Sequence, residues 1–202
     1  MLPTRRLLRI CTALALALTV CAPPGFAAPS LEDLLARLAP PNGRFESTYT
    51  QTRESSLLTE SARTQGRIVY ESPGHLRKSE QGPNGERVIE IREGTVEIRG
   101  PDETRRFPVS RARPLEQLMR LLEALATGDA EALREHFKVE FDGGDDPWTL
   151  MLEDPGTHRR PGQPSMHDDP LRIVVEGGAS VERIELQPPQ GQTTILELGT
   201  DS

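Results

Sequence analysis

The chain has 202 residues, 35% of them hydrophobic and 27% charged, with 31 acidic and 24 basic side chains and a net charge of −7. This balance argues against a nucleic-acid-binding protein and against a ligand for anionic lipid surfaces, because both partners are themselves negatively charged. The two cysteines, Cys11 and Cys21, both lie near the N-terminus.

Residues 1–27 have the features of a cleavable export signal. Three arginines at positions 5, 6 and 9 precede the apolar run Ile10–Val20, and the small residues Gly25 and Ala27 follow it. The run has eleven residues, whereas a membrane-spanning helix needs about 20. We therefore expect cleavage before Ala28 and a periplasmic protein. The remaining residues 28–202 have a net charge of −10 and the length of a single domain.

Cys21 raises an alternative to simple cleavage. Leu18 stands where a lipoprotein signal has leucine, but Val20 occupies the position that prefers Gly, Ala or Ser. Lipidation of Cys21 would make the chain an anchored protein of the outer membrane. Cleavage before Ala28 instead removes both cysteines, so that no disulfide can form in an oxidising compartment.

The first predicted element after the signal is a short helix. Ser30 is a suitable N-cap, Asp33 completes a capping box, and leucines at positions 31, 34, 35 and 38 share one face. The sequence Pro-Pro-Asn-Gly at 40–43 ends this helix. A strand is predicted over Arg44–Arg53. Its alternate positions have little apolar content, so we expect an edge strand or a strand that lines a cavity. These positions are Phe45, Ser47, Tyr49 and Gln51.

Short strands separated by turns dominate the next part of the chain. Residues 55–62 are predicted to form a hairpin tip or loop, and Asn84–Gly85 is typical of a type I′ turn. The predicted strands are Thr64–Glu71, His75–Gln81, Arg87–Arg92, Thr95–Arg99 and Thr104–Val109. Strands that begin about every ten residues favour an antiparallel sandwich or barrel.

The middle of the chain is predicted to be helical. Pro114 suits a first helical turn, Gly128 ends the helix, and Asp129 caps a second helix over Ala130–Phe137. The first of these helices carries an apolar stripe, formed by Leu115, Leu118, Met119, Leu122 and Leu125. The stripe predicts a helix that covers the core of the sheet. The same helix is also compatible with a movable lid over a cavity for acyl chains, because Leu and Met fill irregular apolar space.

Strands return after the helices. The predicted ones are Val139–Phe141, an alternating strand with Trp148, Leu150 and Leu152, and then Leu171–Glu176, Val181–Gln187 and Thr193–Leu198. The segment Pro155–Pro170 is rich in proline and charge, which predicts a loop with little capacity to pack.

The sequence contains no motif that predicts catalysis or metal binding. Nucleophile-elbow, nucleotide-loop and His-Glu-x-x-His patterns do not occur, so we expect neither an enzyme nor a cofactor. The group of His158, His167, Asp168 and Asp169 lacks the compact spacing of zinc ligands. The acidic turn with Asp142, Asp145 and Asp146 lacks the alternating ligands and terminal Glu of a calcium loop.

The chain resembles the LolA-like family of periplasmic outer-membrane lipoprotein carriers, and the resemblance extends over most of residues 28–202. Order and spacing carry it rather than any single motif. The matching features are the N-terminal helix, Phe45 with Tyr49-x-Gln51, Gly66-x-Ile68-x-Tyr70-x-x-Pro73-x-x-Leu76-Arg77, Trp148-x-Leu150-x-Leu152-x-x-Pro155, and Ile184-x-Leu186. The strand His75–Gln81 lacks the aromatic residues of the housekeeping carriers, which indicates a divergent member.

The resemblance implies an α+β, mainly antiparallel fold, a half-open curved β-barrel covered by a few helices. It also implies a monomeric carrier that takes a lipid or acylated cargo from an inner-membrane exporter towards an outer-membrane acceptor. The alternative from a different class is a non-lipid adaptor of an envelope complex. The residues expected to line an apolar cavity and its lid are Tyr49, Ile68, Tyr70, Ile89, Ile91, Val96, Ile98, Leu115, Leu118, Met119, Leu122, Trp148 and Leu150.

Overall fold

The computed structural model describes residues 29–54, 62–82, 85–144, 146–154 and 170–199. The predictions for the export signal, Cys21, the tip at 55–61, Asn84 and most of the proline-rich loop fall outside these ranges. Inside them, the predicted helices and strands are all found, with ends that differ by only a few residues.

Three α-helices and eleven strands make up the described part of the chain. The helices are α1 (Leu31–Leu38), α2 (Arg113–Thr127) and α3 (Ala130–His136), and a 3-10 turn at Val109–Arg111 precedes α2. The strands are β1 (Arg44–Glu54), β2 (Ala62–Glu71), β3 (His75–Gly82), β4 (Gly85–Arg92), β5 (Thr95–Arg99), β6 (Thr104–Pro108), β7 (Lys138–Gly143), β8 (Trp148–Asp154), β9 (Leu171–Gly177), β10 (Val181–Gln187) and β11 (Thr193–Leu198).

Local chemistry explains where the helices begin and end. The Ser30 hydroxyl accepts a hydrogen bond from the Asp33 N–H at 3.1 Å, and the Asp33 carboxylate accepts one from the Ser30 N–H at 3.3 Å. This is the predicted capping box. At the end of α2, Gly128 adopts a left-handed conformation with φ of 73°, which a glycine reaches without a steric penalty. The Asp129 carboxylate then caps α3 by accepting from the Ala132 N–H at 2.9 Å.

All strands lie in one antiparallel sheet, in the order β6-β5-β4-β3-β2-β1-β11-β10-β9-β8-β7. The two edge strands, β6 and β7, do not pair with each other, so the sheet is open. It curves around the helices, and the fold is the mainly antiparallel, half-open architecture expected from the resemblance.

Of the two alternatives predicted for β1, an edge strand or a strand that lines a cavity, the edge strand is wrong. β1 lies in the middle of the sheet, between β2 and β11. Its low apolar content reflects polar side chains that are buried on its inner face. Ser47 is one of them, and its hydroxyl donates to the Gly199 carbonyl at 2.8 Å. A buried hydroxyl with such a partner carries little desolvation cost.

The inner face of the sheet and the helices enclose one apolar core. Alternate residues of β8 and β9 point into it, as the period-2 pattern predicts, and Trp148, Leu150 and Leu152 are all buried. From α2, the buried leucines are Leu118, Leu121, Leu122 and Leu125, whereas Leu115 and Met119 are partly buried. Leu121 lies outside the predicted stripe, yet it is completely buried.

Candidate functional site

An apolar groove lies between the helices and the central strands of the sheet. Its volume is about 300 Å³. The apolar lining residues are Leu38 at the end of α1 and Pro40 after it, Phe45 on β1, Leu122, Leu125 and Ala126 on α2, Ala179 before β10, Val181 and Ile184 on β10, and Leu198 on β11. Arg37, Glu46, Ser47 and Ser180 add polar atoms to the same lining. The groove therefore offers hydrocarbon contact on several sides, together with a few polar groups.

Helix α2 forms one wall of this groove, and a carboxylate fastens it to the sheet. Glu123 accepts hydrogen bonds from the Tyr70 hydroxyl, from the Ser72 hydroxyl at 2.7 Å and from the Gly74 N–H at 3.2 Å. Burial raises the pKa of Glu123, but these hydrogen bonds outweigh it, so that the pKa lies below its usual value. Burial, and then the hydrogen bond to Glu123, raise the pKa of Tyr70. We call these four residues the Glu123 clasp.

A second polar contact holds the N-terminal end of α2. The guanidinium of Arg113 donates to the carboxylate of Asp154 at 2.7 Å, and Asp154 is only 3% exposed. Arg113 is the first residue of α2, and Asp154 is the last residue of β8. The helix is thus tied to β8 near its start and to the β2–β3 turn nearer its end.

A group of buried polar residues lies on the inner face of β1 and β3. The Lys78 ammonium donates to the Gln51 side-chain oxygen at 2.9 Å and to the Glu80 carboxylate at 3.2 Å. It also lies 4.4 Å from the centroid of the Tyr49 ring. Burial lowers the pKa of Lys78, although the Glu80 carboxylate opposes that shift. This part of the inner face is polar, in contrast to the face beneath the helices.

The part of the chain that the structure describes contains no cluster of three or more His, Cys, Asp or Glu side chains arranged to hold a metal ion. The candidate ligands His158, His167, Asp168 and Asp169 lie outside that part. A scan of the described helices for membrane spans finds none with the length and hydropathy required.

Comparison with known proteins identifies the family. A family model described as "Outer membrane lipoprotein carrier protein LolA-like" matches residues 25–200. The chain belongs to the LolA-like family. Among solved structures, a LolA superfamily protein from Nitrosomonas europaea is similar at 11% identity and a TM-score of 0.45, over 85% of this chain and 92% of that one. LprF from Mycobacterium bovis is similar at 12% identity and a TM-score of 0.34, over 86% and 94%. The search of curated proteins found no match.

The site residues expected from the sequence all contribute to the core of this LolA-like chain or pack against it. Nine of them are buried, namely Tyr49, Ile68, Tyr70, Ile91, Val96, Leu118, Leu122, Trp148 and Leu150. Four are partly buried, namely Ile89, Ile98, Leu115 and Met119. One of these thirteen predicted residues, Leu122, also lines the apolar groove.

Most residues that line the groove were not among those predicted. Leu38 and Leu125 belong to the apolar stripes of their helices, and Phe45 alternates with other inward residues of β1, so a signal for each was present in the sequence. Leu198 lies on β11, which pairs with the distant strand β1, whereas Val181 lies at the start of β10, which pairs with the preceding strand β9. Strand alternation predicts which face such residues occupy, but it does not predict which end of the sheet the helices leave accessible.

Proposed function

We propose that this protein is a periplasmic carrier that shields the acyl chains of a lipid or acylated cargo on their way towards the outer membrane. The observation that carries the proposal is the apolar groove between α2 and the centre of the sheet, found in a member of a carrier family. The predicted export signal at residues 1–27 supports a periplasmic location.

Binding in the groove would be driven by removal of hydrocarbon from water. Each buried CH₂ group contributes about 0.8 kcal/mol, so affinity should rise with acyl length until the groove is filled. A volume of about 300 Å³ lies at the lower end of the range for ligand pockets. A larger cargo would therefore need the wall formed by α2 to move outward.

Transfer would follow from a difference in affinity between two positions of α2. With the Glu123 clasp and the Arg113–Asp154 pair closed, α2 covers the core. Loss of these contacts would widen the groove and would also remove hydrophobic contacts, principally those of Leu118 and Leu122. An inner-membrane exporter as donor and an outer-membrane acceptor would each bias this equilibrium. No catalytic step is needed, and the carrier would act as a monomer.

Two measurements test the proposal. Organic extraction and mass spectrometry of protein purified from the cell envelope should recover a co-purified acylated molecule. The intact mass should correspond to a chain that begins at Ala28. A diacylated Cys21 at the N-terminus would instead indicate an anchored acceptor.

A double variant and a matched control then locate the binding surface. Replacement of both Leu118 and Leu122 by Glu would put charges where burial is costly. Uptake of an apolar fluorescent fatty acid should be lost, while the far-UV circular dichroism spectrum stays native-like. The control is Met151→Glu, because Met151 is 37% exposed and lies on the other face of β8. The absence of uptake by the wild-type protein would favour the non-lipid adaptor, and unchanged uptake by the double variant would exclude α2 as the gate.

A further inference from the structure

A polar cleft occupies the end of the inner sheet face that lies away from the apolar groove. Its volume is about 500 Å³. The residues that line it are Arg53, Thr64, Glu80, Gly82, Gly85, Arg87, Ile98, Gly100, Pro101, Asp102, Glu103 and Arg105. They come from the ends of β1 to β6 at the β3–β4 and β5–β6 turns. Phe45 in the apolar groove and Arg53 in this cleft are eight residues apart on β1, which corresponds to about 26 Å at strand spacing.

Basic groups outnumber acidic ones around the carboxylate at the base of this cleft. Glu80 is only 5% exposed, and its nearest cation is the buried Lys78 ammonium at 3.2 Å. Arg53 and Arg87 also face Glu80, but at 4.0 Å and 3.7 Å. Three cations therefore share this one carboxylate. With Arg105 the cleft and its base carry four positive groups, against three negative ones on Glu80, Asp102 and Glu103, so one positive charge remains in excess for another anion.

The two arginines also retain hydrogen-bonding capacity. Their contacts with Glu80 are longer than a hydrogen bond, and a guanidinium has five N–H donors in a fork that matches phosphate or carboxylate oxygens. Within the described residues, the hydroxyl of Thr64 is buried without a hydrogen-bond partner, and Thr64 lines the same cleft. The acidic Glu103 is held by Arg105 at 2.7 Å, so it does not occupy Arg53 or Arg87.

We propose that this cleft is a binding site for a phosphate-type oxyanion, held by the guanidinium groups of Arg53 and Arg87, with the Thr64 hydroxyl as a further donor. The oxyanion is either the headgroup of a phospholipid or a free phosphate. The site is separate from the apolar groove. An experiment could therefore refute acyl binding in the groove without affecting this assignment. Equally, it could refute oxyanion binding in the cleft without affecting acyl binding in the groove.

The test follows the side-chain Nε–H resonances of Arg53 and Arg87 in a nitrogen-15-labelled protein. The probes are inorganic phosphate, a short-chain phosphatidylglycerol with two hexanoyl chains, and the matched dihexanoylglycerol, which has no phosphate. Both arginine resonances should shift with the phospholipid and stay unchanged with dihexanoylglycerol. A shift with inorganic phosphate at similar concentrations identifies free phosphate as a sufficient ligand, whereas a shift with the phospholipid alone identifies a lipid headgroup.

Variants then assign the interaction. Arg53→Gln and Arg87→Gln should each weaken binding of the phosphate-bearing probe that shifts the resonances. The expected loss of affinity is about tenfold, as for loss of one hydrogen bond between charged groups. The control is Arg67→Gln, because Arg67 is an exposed arginine of β2 that pairs with Glu46 at 2.7 Å outside the cleft. Uptake of an apolar fluorescent fatty acid in the groove serves as the independent readout and should stay unchanged in Arg53→Gln and Arg87→Gln. The proposal is overturned if neither phosphate probe shifts the arginine resonances, or if Arg67→Gln weakens binding as much as the cleft variants do.

Discussion

The Glu123 clasp gives the most specific prediction about stability. Replacing Glu123 with Ala removes the acceptor for three donors at once, those of Tyr70, Ser72 and Gly74. Tyr70 is completely buried, so its hydroxyl would be left without that partner in the interior. A buried unsatisfied donor costs about 1–3 kcal/mol, and a hydrogen bond to a charged group contributes about 1.5–3 kcal/mol. Because such terms are not additive, we expect a loss of about 3 kcal/mol in the free energy of unfolding.

Urea denaturation measures this loss, and a thermal scan should show the melting temperature falling by about 6–12 °C for a chain of this size. The control is Glu116→Ala on the same helix. Glu116 makes an i,i+4 pair with Arg120 at 3.2 Å, which is worth only about 0.3–0.5 kcal/mol. If Glu123→Ala were no more destabilising than Glu116→Ala, the carboxylate would not fasten α2 to the sheet.

The same carboxylate predicts a pH dependence. Its pKa in the folded protein lies below the ordinary value of 4.5. Its contribution to stability is therefore fully present above pH 4.5 and is lost as the pH falls through the lowered folded pKa. The difference in stability between wild type and Glu123→Gln, measured by urea denaturation from pH 7 downward, should shrink in that acidic range. A difference that stays constant with pH would contradict the assignment.

Three further substitutions, one of them with a matched control, test other contacts of the fold. Trp148→Ala should cost about 3–5 kcal/mol in urea denaturation, because the ring is 1% exposed, and an unchanged midpoint would refute the burial of this strand. Gly66→Ala should prevent normal folding, because the added Cβ would lie 1.8 Å from a backbone oxygen of β3. The control is Gly144→Ala, whose added Cβ meets no atom within 4 Å, so this variant should express and melt like wild type. Arg113→Met should cost about 1–3 kcal/mol, because it leaves the buried carboxylate of Asp154 with one hydrogen-bond partner fewer, and a melting temperature equal to wild type would contradict this.

Local sequence chemistry predicts the elements of this fold well. Turn residues and period-2 alternation define the strand ends, since each depends on neighbours within a few positions. The central position of β1 could not be predicted in this way. It depends on pairing between Tyr49 and Leu198, which are far apart in the sequence. Local patterns carry no information about such a partner.

The polar features of the interior were also not predicted, for reasons that differ between residues. Glu123 lies off the apolar stripe of α2, which is typical of a solvent-facing position, but the β2–β3 turn reaches it and supplies three donors. Alternation places Lys78 on the same face as the buried Leu76, and this was a usable signal. Leu121 is buried outside the stripe because α2 contacts α1 and α3 as well as the sheet, so its buried surface is wider than one stripe.

The central claim is that acyl chains bind in the groove between α2 and the centre of the sheet. The most direct measurement is photo-cross-linking with a diazirine-bearing fatty acid, followed by peptide mass spectrometry. We predict that the label will appear on groove residues such as Phe45, Leu122 and Leu198 and that excess unlabelled fatty acid will compete it away. Label found mainly on the exposed face of the sheet, as at Met151, or label that does not respond to competition, would contradict the claim.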